Sequence, residues 1–148
     1  MIRIHERREI PLRREQAFAY VADFANVAEW DPGVLSSARQ GDQPPVLGTR
    51  YDVVVTFGRS TLDLVYEITE WDTPSRAVLV TSSRRFGAVD TITFVERDEN
   101  RTSVDYVADF TLKGVMRLLT PFVRPMFKRL VQDALDGLVR TLAERPPA

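Results

Sequence analysis

"TPFVRPMFKRLVQDALDGLVRTLAE", residues 120–144, brings the chain to its last long element with an apolar pattern of helical period. Val123, Phe127, Leu130, Ala134, Leu138 and Leu142 recur at spacings of three and four, which puts them on one side of a helix. Thr120 offers an N-cap and Pro121 suits the first helical position. Pro125 lies inside the stretch, so the helix is expected to start afresh there or to kink. A helix of this length with a one-sided stripe needs an apolar surface to cover.

The preceding sequence supplies that surface. From Arg50 to Leu112 the period changes to two, the signature of half-buried strands. "RYDVVVTF" sets Tyr51, Val53, Val55 and Phe57 on one side, and "STLDLVYEITEW" sets Leu62, Leu64, Tyr66 and Ile68 opposite Asp63, Glu67 and Thr69. "AVLVTSS" and "VDTITFVE" follow, the latter offering Ile92 and Phe94. "TSVDYVADFTL" then alternates Val104, Tyr106, Ala108, Phe110 and Leu112 against Asp105 and Asp109. "GRS", "DTPS", "RFG" and "RDENR" have the length and composition of hairpin turns. The result is an antiparallel meander with one buried and one wet face.

Upstream, "MIRIHERREI" reads as a strand with Ile2 and Ile4 inward. "PLRREQAFAYVADF" reads as a helix that gathers Ala17, Phe18, Val21 and Phe24 on one face. The stretch after Trp30, "DPGVLSSARQGDQPPVLGT", is a loop with room for a short strand. The fold class expected is α+β: about six or seven strands curving around a long C-terminal helix, with two short helices between the first two strands. One domain is expected over residues 1–144, and "RPPA" at 145–148 is expected to fray.

Composition narrows the function classes. The chain has 148 residues and a net charge of −1, which argues against a dedicated nucleic-acid binder. It has no cysteine, which removes disulfides, thiolate nucleophiles and cysteine-held metal or iron–sulfur centres. Its single histidine, His5, is out of phase with Ile2 and Ile4 and cannot form a histidine metal site or a recognisable triad. No metal or cofactor is expected. Glycine-rich phosphate-loop patterns are absent. Asn100-Arg101-Thr102 matches a glycosylation acceptor and reads as a hairpin turn. The charged N-terminus and the lack of a long apolar run lead to the expectation of a cytoplasmic protein with no transmembrane segment.

"IPLRREQAFAYVADFANVAEWDP", "YEITEWDTPSRAVL", "DTITF", "TSVDYVADFTLKG" and the "RPMFKR" that opens the last helix together resemble the START-like (SRPBCC) superfamily. This is the polyketide cyclase/dehydrase and lipid-transport group, and the resemblance spans nearly the whole chain. It implies a helix-grip fold in which a twisted sheet closes on the terminal helix and leaves a pocket. Its members include enzymes, lipid carriers and interaction modules. It therefore implies three functions: binding of a small hydrophobic molecule (a lipid, an isoprenoid or a polyketide-like aromatic), polyketide cyclase or dehydratase chemistry, and a quinone-chaperone or ribosome-associated role.

Candidate residues follow from phase and chemistry. In "ADFANVAEWDP", residues 22–32, Asn26 and Glu29 have capping-box spacing, Asp23 can accept orphan backbone N–H groups, and Asp31-Pro32-Gly33 is a turn signal. Caps and a turn account for all three acids. Trp30 has two readings, core packing and a ligand contact at the pocket rim implied by the resemblance. Asp90 shares phase with Ile92 and Phe94. Facing inward, it would be a carboxyl of raised pKa; in a turn, it would be solvated. Tyr66 and Tyr106, also inward, could orient a ligand or bond to backbone carbonyls. These three are the weak catalytic candidates. The expected ligand contacts are Trp30, Tyr51, Val53, Val55, Tyr66, Ile68, Phe94, Tyr106 and Phe110, joined by Met126, Phe127 and Leu130 from the helix. At about 0.8 kcal/mol per buried CH₂, a ten-carbon ligand gains roughly 8 kcal/mol there. The arginines and lysines near residues 84–85 and 117–129 read as solvated surface or as pocket-mouth groups. The oligomeric state stays open.

Overall fold

Seven strands form one antiparallel sheet in the computed structural model, which describes residues 1–144. The expected frayed tail at 145–148 lies outside the described residues. The strands are β1 (Ile2–Ile10), β2 (Val34–Arg39), β3 (Arg50–Phe57), β4 (Ser60–Asp72), β5 (Arg76–Ser82), β6 (Phe86–Asp98) and β7 (Arg101–Leu112). Their order across the sheet is β1-β7-β6-β5-β4-β3-β2, a meander from β2 to β7 with the first strand added beside the last. Between β1 and β2 lie α1 (Arg14–Val21), a 3₁₀ turn (Phe24–Asn26) and the single-turn α2 (Val27–Trp30). A 3₁₀ segment, Gly114–Leu119, leads from β7 into α3 (Thr120–Glu144). This is the helix-grip architecture.

Period-2 phase sets the two faces. On the outer face the charges pair across strands: Arg3 with Asp109 at 2.7 Å, and both His5 and Arg7 with Asp105. The inner face is apolar and arranged in rows. Register places Ile4 opposite Ala108, Ala108 opposite Asp90, Asp90 opposite Leu79, and Leu79 opposite Ile68. A bulge between Ile68 and Glu70 helps bend β4, so that the sheet curls around its apolar side.

The terminal helix lies along β1 and against α2. Arg124 Nη1 donates to the Arg3 carbonyl at 3.0 Å, and Arg8 Nε donates to Asp136 Oδ1 at 3.0 Å. Between those contacts the helix advances about 18 Å and the strand about 17 Å, so the two run side by side in one direction. At Gly137 the helix meets α2 so closely that a Cβ would overlap the Trp30 carbonyl oxygen and lie 2.9 Å from Pro32 Cδ. Only glycine permits this approach, and it holds the Trp30–Asp31–Pro32 corner against the helix.

Four local expectations are corrected. Asn26 does not cap α2 with its side chain; its amide donates to the Tyr20 carbonyl at 3.1 Å, and Glu29 accepts from the Tyr20 hydroxyl at 2.9 Å, so the capping box is not formed. Thr120 is not an N-cap: it is already helical, and its hydroxyl donates to the Arg117 carbonyl at 2.8 Å, because the 3₁₀ segment feeds directly into α3. Of the two outcomes expected at Pro125, the fresh start is not seen: one helix runs from Thr120 to Glu144 with the proline inside it. The buried stripe is Phe127, Val131, Leu135, Leu138 and Leu142, so Leu130, 37% exposed, stands at its edge. Asp23 does cap the 3₁₀ turn, accepting from Ala25 N at 3.1 Å.

Candidate functional site

The inner face is filled differently at its two ends. At one end, α1 and the 3₁₀ turn after it drive Phe18 and Phe24 into the sheet. Phe18 meets Trp71 and Phe94 edge-on with ring centroids 4.7 and 5.3 Å apart, and Phe24 meets Tyr66 at 5.2 Å. This end is solid core. At the other end nothing descends from the α1 side, and Ala108 and Ala134 leave space between sheet and helix. A cavity of about 120 Å³ remains there. One wall is an aromatic stack: Phe110 and Phe127 lie 4.3 Å apart at 20°, with Phe86 beyond them. Leu64, Val55, Val131 and Leu135 close the rest, while Leu130 and Thr56 stand at a rim open to solvent.

Two carboxyl groups face this apolar space. Asp90, 6% exposed in the middle of β6, projects from a row whose neighbours are Leu79 and Ala108. Tyr106 lies diagonally across on β7 and donates from its hydroxyl to Asp90 Oδ2 at 2.6 Å. Diagonal pairs on neighbouring strands lie within reach of a tyrosine, and the small Ala108 clears the path. Burial pushes the Asp90 carboxyl up to about 7; the Tyr106 hydrogen bond pulls it down, and the negative charges of Asp31 and Asp109 push it further up. Asp31 follows α2 and accepts from Gly33 N at 2.8 Å. Loss of hydration raises it to about 6, opposed by the Gly33 bond and aided by Asp133. The phenols of Tyr66 and Tyr106 are raised well above the usual tyrosine range, by burial first and then by the nearby carboxylates, so both stay protonated. Near neutral pH the site is thus a greasy cavity whose floor holds titrating carboxyls and neutral phenols.

The sequence-derived contacts divide along the same line. Val55, Tyr66, Tyr106, Phe110, Phe127 and Leu130 line the cavity, as does Asp90. Tyr51, Val53, Ile68 and Phe94 do not; they share the inward phase and are buried in the core, Tyr51 against Phe24 and Phe94 against Phe18. Trp30 is 3% exposed and packed into the core beneath α3, so the rim contact expected of it is corrected to a core position. Met126 is 41% exposed and outside the lining, because it falls one residue off the buried stripe. Asp31 reads in the sequence as a turn residue. It is that, and it also lines the cavity, a role set by the approach of Gly137 and invisible in local spacing. Among the described residues no three histidine, cysteine or acidic side chains converge as metal ligands. Among the described residues no helix is long and apolar enough to cross a membrane.

The sequence that builds this curled sheet and gripping helix matches a known group. The family model described as "Polyketide cyclase / dehydrase and lipid transport" matches residues 1–143. The chain belongs to this family. Solved structures agree on the fold. TTHA0849 from Thermus thermophilus is 22% identical with a TM-score of 0.79, over 97% of this chain and 99% of that one. A START superfamily protein from Mycobacterium smegmatis is 17% identical with a TM-score of 0.72, over 98% of this chain and 97% of that one. The ZhuI aromatase/cyclase from a Streptomyces species is 9% identical with a TM-score of 0.75, over 97% of this chain and 92% of that one. A search of curated protein sequences returned no match.

Proposed function

We propose that this family member binds a small, mostly apolar molecule carrying one hydroxyl or carbonyl oxygen, with the ring or chain against Phe110 and Phe127 and the oxygen at Asp90 and Tyr106. The observation that carries the reading is the Tyr106–Asp90 hydrogen bond at the floor of an otherwise apolar cavity. Size sets the class of ligand. An apolar cavity of roughly 150 Å³ accommodates benzene, so about 120 Å³ is filled by a single small ring, and a larger body extends past Leu130. Burying six carbons contributes roughly 5 kcal/mol, close to the smallest association cost of about 4 kcal/mol. Burial alone therefore gives weak binding, and the polar anchor decides affinity. Phenol and toluene have nearly the same shape and differ in one oxygen. Calorimetric titration should show phenol bound more tightly than toluene, with the preference removed in Asp90→Asn and Tyr106→Phe. Equal affinities in the native protein would sink the reading.

The two raised carboxyls favour a second reading, cyclase or dehydratase chemistry in the same cavity. An ionised Asp90 would take a proton from the carbon next to a substrate carbonyl. The resulting carbanion would attack a second carbonyl of the same molecule, forming a carbon–carbon bond and an alkoxide. The proton held by Asp90 would then return to that alkoxide, so atoms and charge balance. Loss of that hydroxyl together with a hydrogen from the adjacent carbon, as water, would leave a carbon–carbon double bond and complete a dehydration. If Asp90→Asn leaves turnover of every accepted polyketone unchanged, this role is wrong.

A further inference from the structure

One surface lies outside the cavity and is unexplained by it. From the end of β7 into α3, large apolar side chains stand in solvent: Val115 is 83% exposed, Leu118 78%, Phe122 77%, Leu119 42% and Met126 41%. Leu118, Phe122 and Met126 are spaced four apart, and Leu130, the next in that series, is the rim residue of the cavity. The exposed stripe therefore runs continuously to the cavity mouth. Isolated exposed leucines are ordinary, but a contiguous apolar strip of this size marks a contact surface.

Charge identifies the partner. Between Asp109 and Asp133 the chain carries Lys113, Arg117, Arg124, Lys128 and Arg129 and no acidic residue, although the whole chain has a net charge of −1. The β5–β6 hairpin adds Arg84 and Arg85 to the same end, because Lys113 N donates to the Arg85 carbonyl at 2.9 Å and Lys113 Nζ to Ser82 Oγ at 2.7 Å. A second copy of this chain would bring the same cations against themselves. Apolar tips set among cations match instead an anionic bilayer, whose acyl boundary takes apolar side chains while its headgroups take arginine and lysine.

We propose that the Gly114–Leu119 segment and the first turns of α3 dock on an anionic lipid surface. Val115, Leu118, Phe122 and Met126 enter the acyl boundary, and Arg117 and Arg129 sit at the headgroups. Docking presents the rim at Leu130 to the lipid phase, the natural reservoir of apolar molecules. The proposal concerns the surface and stands whether or not the cavity binds phenol-like rings.

Sedimentation with vesicles tests it. The protein should bind phosphatidylcholine vesicles containing phosphatidylglycerol, bind phosphatidylcholine alone weakly, and be released by high salt. Leu118→Ser combined with Phe122→Ser should cut binding at least tenfold, and because both side chains are solvated the fold, checked by circular dichroism, stays intact. Arg117→Gln and Arg129→Gln should each weaken binding to the anionic vesicles about fivefold. Absence of binding to both compositions overturns the proposal, as does binding that the serine variants leave unchanged. A dimer in solution that Phe122→Ser dissolves would also overturn it, in favour of a second copy.

Discussion

Tyr106 on β7 and Asp90 on β6 are not register partners; Ala108 stands opposite Asp90, and the tyrosine reaches diagonally past it to place its hydroxyl 2.6 Å from the carboxyl. The bond satisfies a carboxyl that has no ion-pair partner among the described bridges, and it holds that carboxyl below where burial alone would take it. Tyr106→Phe removes the donor and leaves the burial. The Asp90 carboxyl should then titrate above its value of about 7, as read from its carboxyl carbon by NMR. A downward shift would mean that the hydroxyl does not donate to the ionised form.

The raised Asp90 also predicts how stability varies with pH. Its folded value of about 7 lies above the ordinary 3.8, so the folded protein holds the proton more tightly than the unfolded chain does. Its contribution is fully present below pH about 4 and is lost as the pH rises to about 7. Asp90→Asn cannot ionise. It should be more stable than the native protein at pH 8, by on the order of 2–4 kcal/mol, with the gain vanishing near pH 4. Urea unfolding at both pH values measures this, and parallel curves would refute it.

Ligand binding should follow the same carboxyls. Asp31 titrates near 6 and Asp90 near 7, and the cavity is least polar when both are protonated. Affinity for toluene should fall as the pH rises from 5 to 8. In Asp31→Asn combined with Asp90→Asn the dependence should flatten.

The cavity owes its volume to small residues, and filling it is a direct control. Ala134, partly buried on α3, lines it. Ala134→Leu should abolish uptake of small rings while leaving stability unchanged or raised by about 1 kcal/mol, as cavity-filling changes do. Uptake that persists in this variant would place ring binding elsewhere on the protein.

Gly137 tests the geometry that places Asp31. A Cβ there overlaps backbone at Trp30 and crowds Pro32, neither of which can yield as a flexible side-chain tip would. Gly137→Ala should cost about 2–4 kcal/mol in denaturant unfolding. In the part of the population that folds, the Asp31 carboxyl should shift from its value near 6 as the corner moves.

Strand phase by itself determined which faces of β3, β4 and β7 turn inward, and with them Tyr66 and Tyr106, because a period of two leaves a half-buried strand no other choice. For Asp90 it left an inward position and a solvated turn both open, and only the tertiary structure buries it in β6. Helical period and length determined that one long helix covers the sheet. Phase cannot say which stretch of an inward row is filled. Tyr51 and Phe94 share the inward phase with Tyr66 and Phe110, yet Phe24 and Phe18, which come from the segment between β1 and β2, pack on them and turn that end of the sheet into solid core. The helical stripe was legible to within one residue, enough to move Met126 into solvent. Trp30 and Asp31 depended most on tertiary structure. "ADFANVAEWDP" carries its capping and turn signals locally, but Gly137, more than a hundred residues later, presses the Trp30 carbonyl against α3. That contact buries the indole in the core and brings the Asp31 carboxylate to the cavity wall, where loss of water alters its chemistry.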